Sequence, residues 1–153
     1  MKTKLLVLII FTALVYSCGG GGKPGVFVDG KKIDLPHGLA VKGTKYKGYT
    51  LYLFNMKKTQ CENVMSSSGR VVPKGEITVR LFIRDKNTAT AGIGSHNQLM
   101  VNIELVTEPK NPGDKIVMNV PSVITMKPRI GKFKGKTVTI QGKFEGKYCG
   151  PMN

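Results

Sequence analysis

The sequence has no tryptophan, only two histidines, and nine acidic residues against 24 lysines and arginines. Catalysis needs groups that hold or shift protons, or a nucleophile with a base beside it, and that inventory is thin here. His37 stands in Pro36-His37-Gly38, which reads as a turn, and His96 stands in Gly94-Ser95-His96-Asn97, which reads as a loop. Ser95 beside His96 makes no dyad, because sequence neighbours rarely face each other productively. Ser66-Ser67-Ser68 lacks the Gly-x-Ser-x-Gly elbow, and no phosphate loop, zinc helix or calcium loop pattern is present. The acids form no obvious carboxylate pair. These absences argue against an enzyme, a metal centre and a cofactor; His96 is the residue an enzymatic reading would test first. Long helical periodicity is also missing, which excludes a helical bundle. The apolar run from Leu5 to Tyr16, broken only by Thr12, is about 12 residues, short of the roughly 20 that cross a bilayer as a helix.

What stands at the N-terminus is ordered like an export signal. Met1-Lys2-Thr3-Lys4 is a short positive start, the apolar run follows, and the exit is Leu14-Val15-Tyr16-Ser17-Cys18. Aliphatic residues, a small residue and then cysteine resemble the lipobox of bacterial lipoproteins, with Val15 and the bulky Tyr16 departing from the commonest choices. The resemblance covers the first 18 residues. It implies that residues 1–17 are a signal peptide, removed in the mature protein, and that Cys18 receives a palmitate-type lipid anchor. Two or more acyl chains hold a protein stably to a membrane where one binds only marginally. Gly19-Gly20-Gly21-Gly22 follows at once and reads as a flexible tether, within residues 18–25, because glycine has maximal backbone freedom. The residue after Cys18 is Gly19 rather than Asp, which by the same resemblance favours sorting to the outer membrane of the bacterial cell envelope.

With Cys18 used by lipid, Cys61 and Cys149 remain. An even remainder in an exported chain points to one disulfide. A two-cysteine metal site lacks partners, since neither His37 nor His96 lies near a cysteine in sequence. The bridge would close a loop of about 90 residues, worth on the order of 4–5 kcal/mol in the chain-entropy picture.

Residues 26–153 are enough for one domain with a real core and too few for two. The pattern is strands separated by turn residues, which predicts an all-β fold, a single β-sandwich or partly open barrel of antiparallel strands. Val26-Phe27-Val28 and Lys31-Lys32-Ile33 flank Asp29-Gly30, a two-residue hairpin signal. Tyr49 to Phe54 is a continuous apolar and aromatic run, a strand covered on both faces. Ile77, Val79, Leu81 and Ile83 form one alternating series, and Leu99, Val101, Ile103 and Leu105 form another. Ile116–Val120 and Val123–Met126 read as two shorter strands split by Pro121. Val138, Ile140, Phe144 and Tyr148 share one parity of a last strand, with Gly142 and Gly146 marking bulges or close contacts. Only Thr59 to Ser68 reads as helical or irregular, and Cys61, Val64 and Met65 fit one helical face. Asp85–Asn97 and Glu108–Asp114 read as loops. The last twenty residues, with Gly-x-Phe strands and a final aromatic-Cys pair, are loosely similar to small β-rich bacterial envelope lipoproteins.

The formal charge is +15, of which Lys2 and Lys4 leave with the signal, giving about +13. Such an excess favours acidic neighbours and says nothing about fold. Gly131-Lys132-Phe133-Lys134-Gly135-Lys136 is echoed by Gly142-Lys143-Phe144-Glu145-Gly146-Lys147. If both are paired strands with Phe133 and Phe144 turned inward, then Lys132, Lys134, Lys136, Lys143 and Lys147 project together as a basic face. That face would attract anionic lipid, lipopolysaccharide or acidic glycan. The bland alternative is a set of solvated lysines that keep strand edges from aggregating. Lysine acts as a point charge without a bidentate fork, which argues against specific nucleic-acid recognition. The reading is a lipid-anchored envelope protein, non-catalytic, with a binding or accessory domain. The competing reading is a structural or assembly factor that docks another envelope protein through a sheet edge.

Overall fold

A computed structural model describes residues 24–44, 47–56, 59–66, 77–85, 88–94 and 97–152. In chain order they form β1 (Gly25–Val28), β2 (Lys31–Ile33), β3 (His37–Lys42), β4 (Tyr49–Phe54), α1 (Cys61–Ser66), β5 (Thr78–Asp85), β6 (Thr88–Ile93), β7 (Asn97–Met100), β8 (Glu104–Thr107), β9 (Lys115–Met126) and β10 (Val138–Pro151). The fold is all-β and sandwich-like. Its ten strands belong to one large sheet that curls over its own core without closing into a barrel. The sheet is mixed rather than purely antiparallel, because β3 runs parallel to β10. No helix among the described residues is long and apolar enough to cross a membrane.

The strand β10 organises everything else. One of its edges pairs antiparallel with β9 along most of its length. The other edge is shared, with β1 covering Val138–Gln141 and β3 covering Lys147–Pro151. Sharing an edge requires neighbouring backbones to come close, and glycines stand where they do. A Cβ on Gly146 would lie 2.6 Å from Leu51 Cδ1 and 2.7 Å from the Gly38 carbonyl carbon, and one on Gly142 would lie 2.9 Å from Pro24 Cα. Both are close-contact positions. The sequence predicted two strands across Pro121, but β9 is continuous. The register slips between Ile140–Ile124 and Gly142–Val120, so Pro121, Ser122 and Val123 bulge out opposite Gln141. A bulge is where a strand accommodates a proline that has no N–H to donate.

Burial follows two faces. Tyr49, Leu51 and Leu53 of β4 join the main core with Ala40, Val79, Leu81, Ala91, Met118, Ile140 and Tyr148. Tyr52 and Phe54, on the opposite face, form a second cluster with Val41, Val64 and Cys149. The helix α1 covers that second face, and Cys61 on α1 is bonded to Cys149 on β10 with Cα atoms 5.3 Å apart. The disulfide expected from the sequence therefore staples the lone described helix to the outside of the sheet. The β1–β2 hairpin turns at Asp29 and Gly30, with φ of 48° and 78°, as a two-residue turn with both central residues left-handed demands.

Three further expectations fail. The series Leu99–Leu105 is not one strand, since β7 ends at Met100, β8 starts at Glu104, and they pair with β6 and β9 respectively. Alternating hydrophobicity marks which side chains turn inward, and a chain that crosses between parts of one sheet keeps that alternation while changing partners. Second, Asp85–Asn97 is not a loop, because β6 occupies Thr88–Ile93. Its inward residues Ala89 and Ala91 are small, so the hydrophobic signal was weak. Third, His37 is not in a turn: it opens β3, opposite Phe54. In addition, β1 begins at Gly25, the last position assigned to the tether. The Glu108–Asp114 loop is as expected.

Candidate functional site: the basic β9–β10 loop

Between Met126 and Val138 the chain carries Lys127, Arg129, Lys132, Lys134 and Lys136 and no acid. All five cations are exposed. This segment is a compact loop, not the first arm of a β-hairpin. Gly131 and Gly135 have φ of 83° and 75°, which ordinary residues resist. The loop closes on itself through Gly135 N–H to the Pro128 carbonyl at 2.9 Å, Lys134 N–H to the Gly131 carbonyl at 3.1 Å and Lys136 N–H to the Phe133 carbonyl at 3.1 Å. Pro128 is buried, and Phe133 packs partly buried against the main core.

Two polar side chains from distant elements pin the ends of the loop. Asn97, at the start of β7, accepts the Arg129 N–H at 3.1 Å and donates to the Ile130 carbonyl at 3.2 Å. Asp29 accepts the Thr137 N–H at 2.9 Å, and the Asp29 N–H returns a bond to the Thr137 carbonyl at 2.8 Å. Between these clamps the loop is held in one shape, with its charges outward. Asp29 also lies 4.0 Å from Lys136 Nζ, an exposed pair that contributes little by itself.

The five lysines predicted to share one strand face do not do so. Lys132, Lys134 and Lys136 belong to the loop, where the period of two has no structural meaning. Lys143 and Lys147 do lie on the outward face of β10, but Glu145 stands between them and pairs with Lys115 of β9. From Val138 to Lys147 is about 30 Å at roughly 3.3 Å per residue, several times the Debye length of about 8–10 Å. Lys147 thus acts separately from the loop. Lys127 and Arg129 take their place beside the loop lysines; their nearness in sequence was the available signal.

Other groupings are less suggestive of chemistry. A cleft of about 680 Å³ lies beside the start of α1, lined by His37, Gln60, Lys115, Glu145 and Lys147 among others. Tyr49 donates to Glu108 Oε1 at 2.9 Å, Lys42 Nζ sits 5.0 Å from the Tyr49 ring centre, and Tyr148 meets that ring edge-on at 6.0 Å. A hydrogen bond with Tyr49 raises the Lys42 pKa, and burial raises those of Tyr49 and Tyr148. All three groups are thereby held in their ordinary neutral-pH charge states. Among the described residues no three His, Cys, Asp or Glu side chains gather as a metal site would require. Cys18, Ser95 and His96 lie outside the described residues. Compared with known protein families, with curated proteins and with solved structures, the chain matches none.

Proposed function

We propose that this chain is a lipid-anchored protein of the bacterial cell envelope, held through Cys18 and sorted to the outer membrane. Its domain is non-catalytic and binds anionic envelope ligands, namely anionic lipid, lipopolysaccharide or acidic glycan, through the β9–β10 loop. The observation that carries the binding half is the loop itself: five exposed cations with no acid among them, on a backbone clamped by Asn97 and Asp29. Exposed charges act weakly alone, but cations held within a Debye length sum their fields, and the resulting attraction falls steeply with salt. Four lysines to one arginine suits attraction to a polyanion better than bidentate recognition of one phosphate.

The test compares two charge-matched variants on a heparin-type matrix. Changing Lys127, Arg129, Lys132, Lys134 and Lys136 to Gln should move elution to much lower salt than changing Lys31, Lys32, Lys110, Lys143 and Lys147. Equal shifts would mean that only net charge matters. The anchor half is checked by acyl labelling, which Cys18→Ala should abolish.

A second reading, docking of another envelope protein along a sheet edge, draws support from β7. That strand ends the sheet path and exposes Leu99 and Met100. Retention insensitive to salt would favour it.

A further inference from the structure

Within the cationic loop sits an apolar side chain that no fold requirement explains. Ile130 is 49 % exposed, immediately after Arg129 and two residues before Lys132. Its backbone is fixed, because its carbonyl accepts from Asn97 and the adjacent Arg129 N–H donates to the same side chain. The loop around it is closed by its own hydrogen bonds, so Ile130 cannot retreat into the core without breaking them. Leu99 of β7, two residues from the Asn97 that holds the Ile130 carbonyl, is 40 % exposed, although it points to the core side with Ala91. A cleft of about 400 Å³ separates Leu99 from Met126, Lys127, Pro128 and Arg129. This is where the sheet fails to close, with β7 on one wall and the end of β9 on the other.

A soluble polyanion would need the cations and gain nothing from an isoleucine in their midst. A surface that is anionic outside and apolar a few ångströms deeper would use both, which is the combination that binds proteins at a bilayer interface. We infer that the β9–β10 loop docks on an anionic bilayer, with Ile130 entering the boundary between headgroups and acyl chains and Lys127, Arg129, Lys132, Lys134 and Lys136 set among the headgroup phosphates. The inference rests on the proposed polyanion-binding role of this loop and narrows its ligand to a membrane surface. Distance permits it. The chain enters β1 after Pro24, and β1 leads to Asp29 at the base of the loop, roughly 15 Å away at about 3.3 Å per residue. The stretch from Cys18 to Pro24 can span about 20 Å, so a lipid on Cys18 and the loop can reach the same leaflet.

The absence of tryptophan supplies a local reporter. The full chain is prepared with Ile130→Trp, and separately with Val106→Trp, whose native side chain is equally exposed on β8. β8 pairs with β9 near Met118, about 25 Å along the strand from the loop. Each is mixed with vesicles of phosphatidylcholine alone, or of phosphatidylcholine with phosphatidylglycerol, with and without brominated acyl chains. Ile130→Trp should blue-shift and be quenched by brominated lipid only when phosphatidylglycerol is present, and Val106→Trp should do neither. Adding the five Gln substitutions should raise the lipid needed for half the shift by about tenfold or more, as loss of several phosphate contacts does. Matching thermal melts of both Trp variants with the native chain keep the comparison valid, and Ile130→Ser, which should weaken sedimentation with anionic vesicles, provides a second route. Identical Ile130→Trp spectra with and without phosphatidylglycerol would overturn the inference, as would an equal response at Val106→Trp. Heparin retention that depends on the loop, with an unshifted Ile130→Trp, would overturn membrane docking alone. Loss of both would remove the polyanion reading as well.

Discussion

Asp29 and Thr137 exchange two hydrogen bonds across 108 residues of sequence, one through the Asp29 carboxylate and one through its backbone N–H. The same aspartate takes a left-handed φ of 48° in the β1–β2 turn. One residue thus forms a hairpin and fastens the end of the basic loop where β10 begins. Replacing it with alanine should cost about 1–3 kcal/mol, from the lost bond and from the left-handed backbone. Asp29→Asn keeps an acceptor and tolerates that φ, so it should stay within about 0.5 kcal/mol of the native chain. Urea denaturation of the two variants, with hydrogen exchange at the Thr137 amide, reads both effects.

The Cys61–Cys149 bond joins α1 to β10 over the cluster of Val41, Tyr52, Phe54 and Val64. Replacing both cysteines with serine should lower stability by roughly 2–5 kcal/mol. The loss should be accompanied by faster exchange or proteolysis around α1 while the main core persists. Non-reducing peptide mapping of the native protein should recover the Cys61–Cys149 cross-link, and two free thiols in undenatured material would contradict it.

Gly38 lies where β3 meets β10. A Cβ there would run into the Glu145 carbonyl oxygen and come within 2.8 Å of Gly146 Cα, both of them backbone atoms that cannot swing aside. Gly38→Ala should therefore destabilise by about 1–3 kcal/mol or more. At Gly43 the nearest atom would be 3.7 Å away, and Gly43→Ala should change stability by no more than about 0.5 kcal/mol. Thermal melts of the two variants make the comparison.

Asp114 closes the Glu108–Asp114 loop by accepting the Asn111 N–H at 2.8 Å and the Lys110 N–H at 3.0 Å. Those bonds, with Asn111 first, hold its carboxyl below the ordinary carboxylate range. A carboxyl whose pKa is lower folded than unfolded favours the folded loop above the unfolded value, and that contribution is lost as pH falls through the folded one. The Lys110 and Asn111 amide resonances should therefore stay in place through mildly acidic pH and move only below the usual aspartate range. In Asp114→Asn the acid-dependent movement should vanish.

Sequence alone determined the elements whose signals are local. Asp29-Gly30 carries the β1–β2 turn because both residues accept positive φ, and the apolar run Tyr49–Phe54 specifies a strand with two buried faces. The pairing of Cys61 with Cys149 also needed only the count of cysteines left once the lipobox resemblance set Cys18 aside. Tertiary structure decided the rest, and Lys132, Lys134 and Lys136 show why. Their alternation around Phe133 is what an exposed strand would display, and nothing in those residues distinguishes strand from loop. The difference comes from Asn97 and Asp29, which lie 32 and 108 residues from the amides they hold. In the same way β6 has few large side chains to announce it, and the parallel contact of β3 with β10 depends on Gly38 and Gly146 fitting backbone to backbone. Periodicity reports which way side chains point. Which strand they meet, and whether an alternating segment is a strand at all, is set by hydrogen-bond partners that only the folded chain brings near.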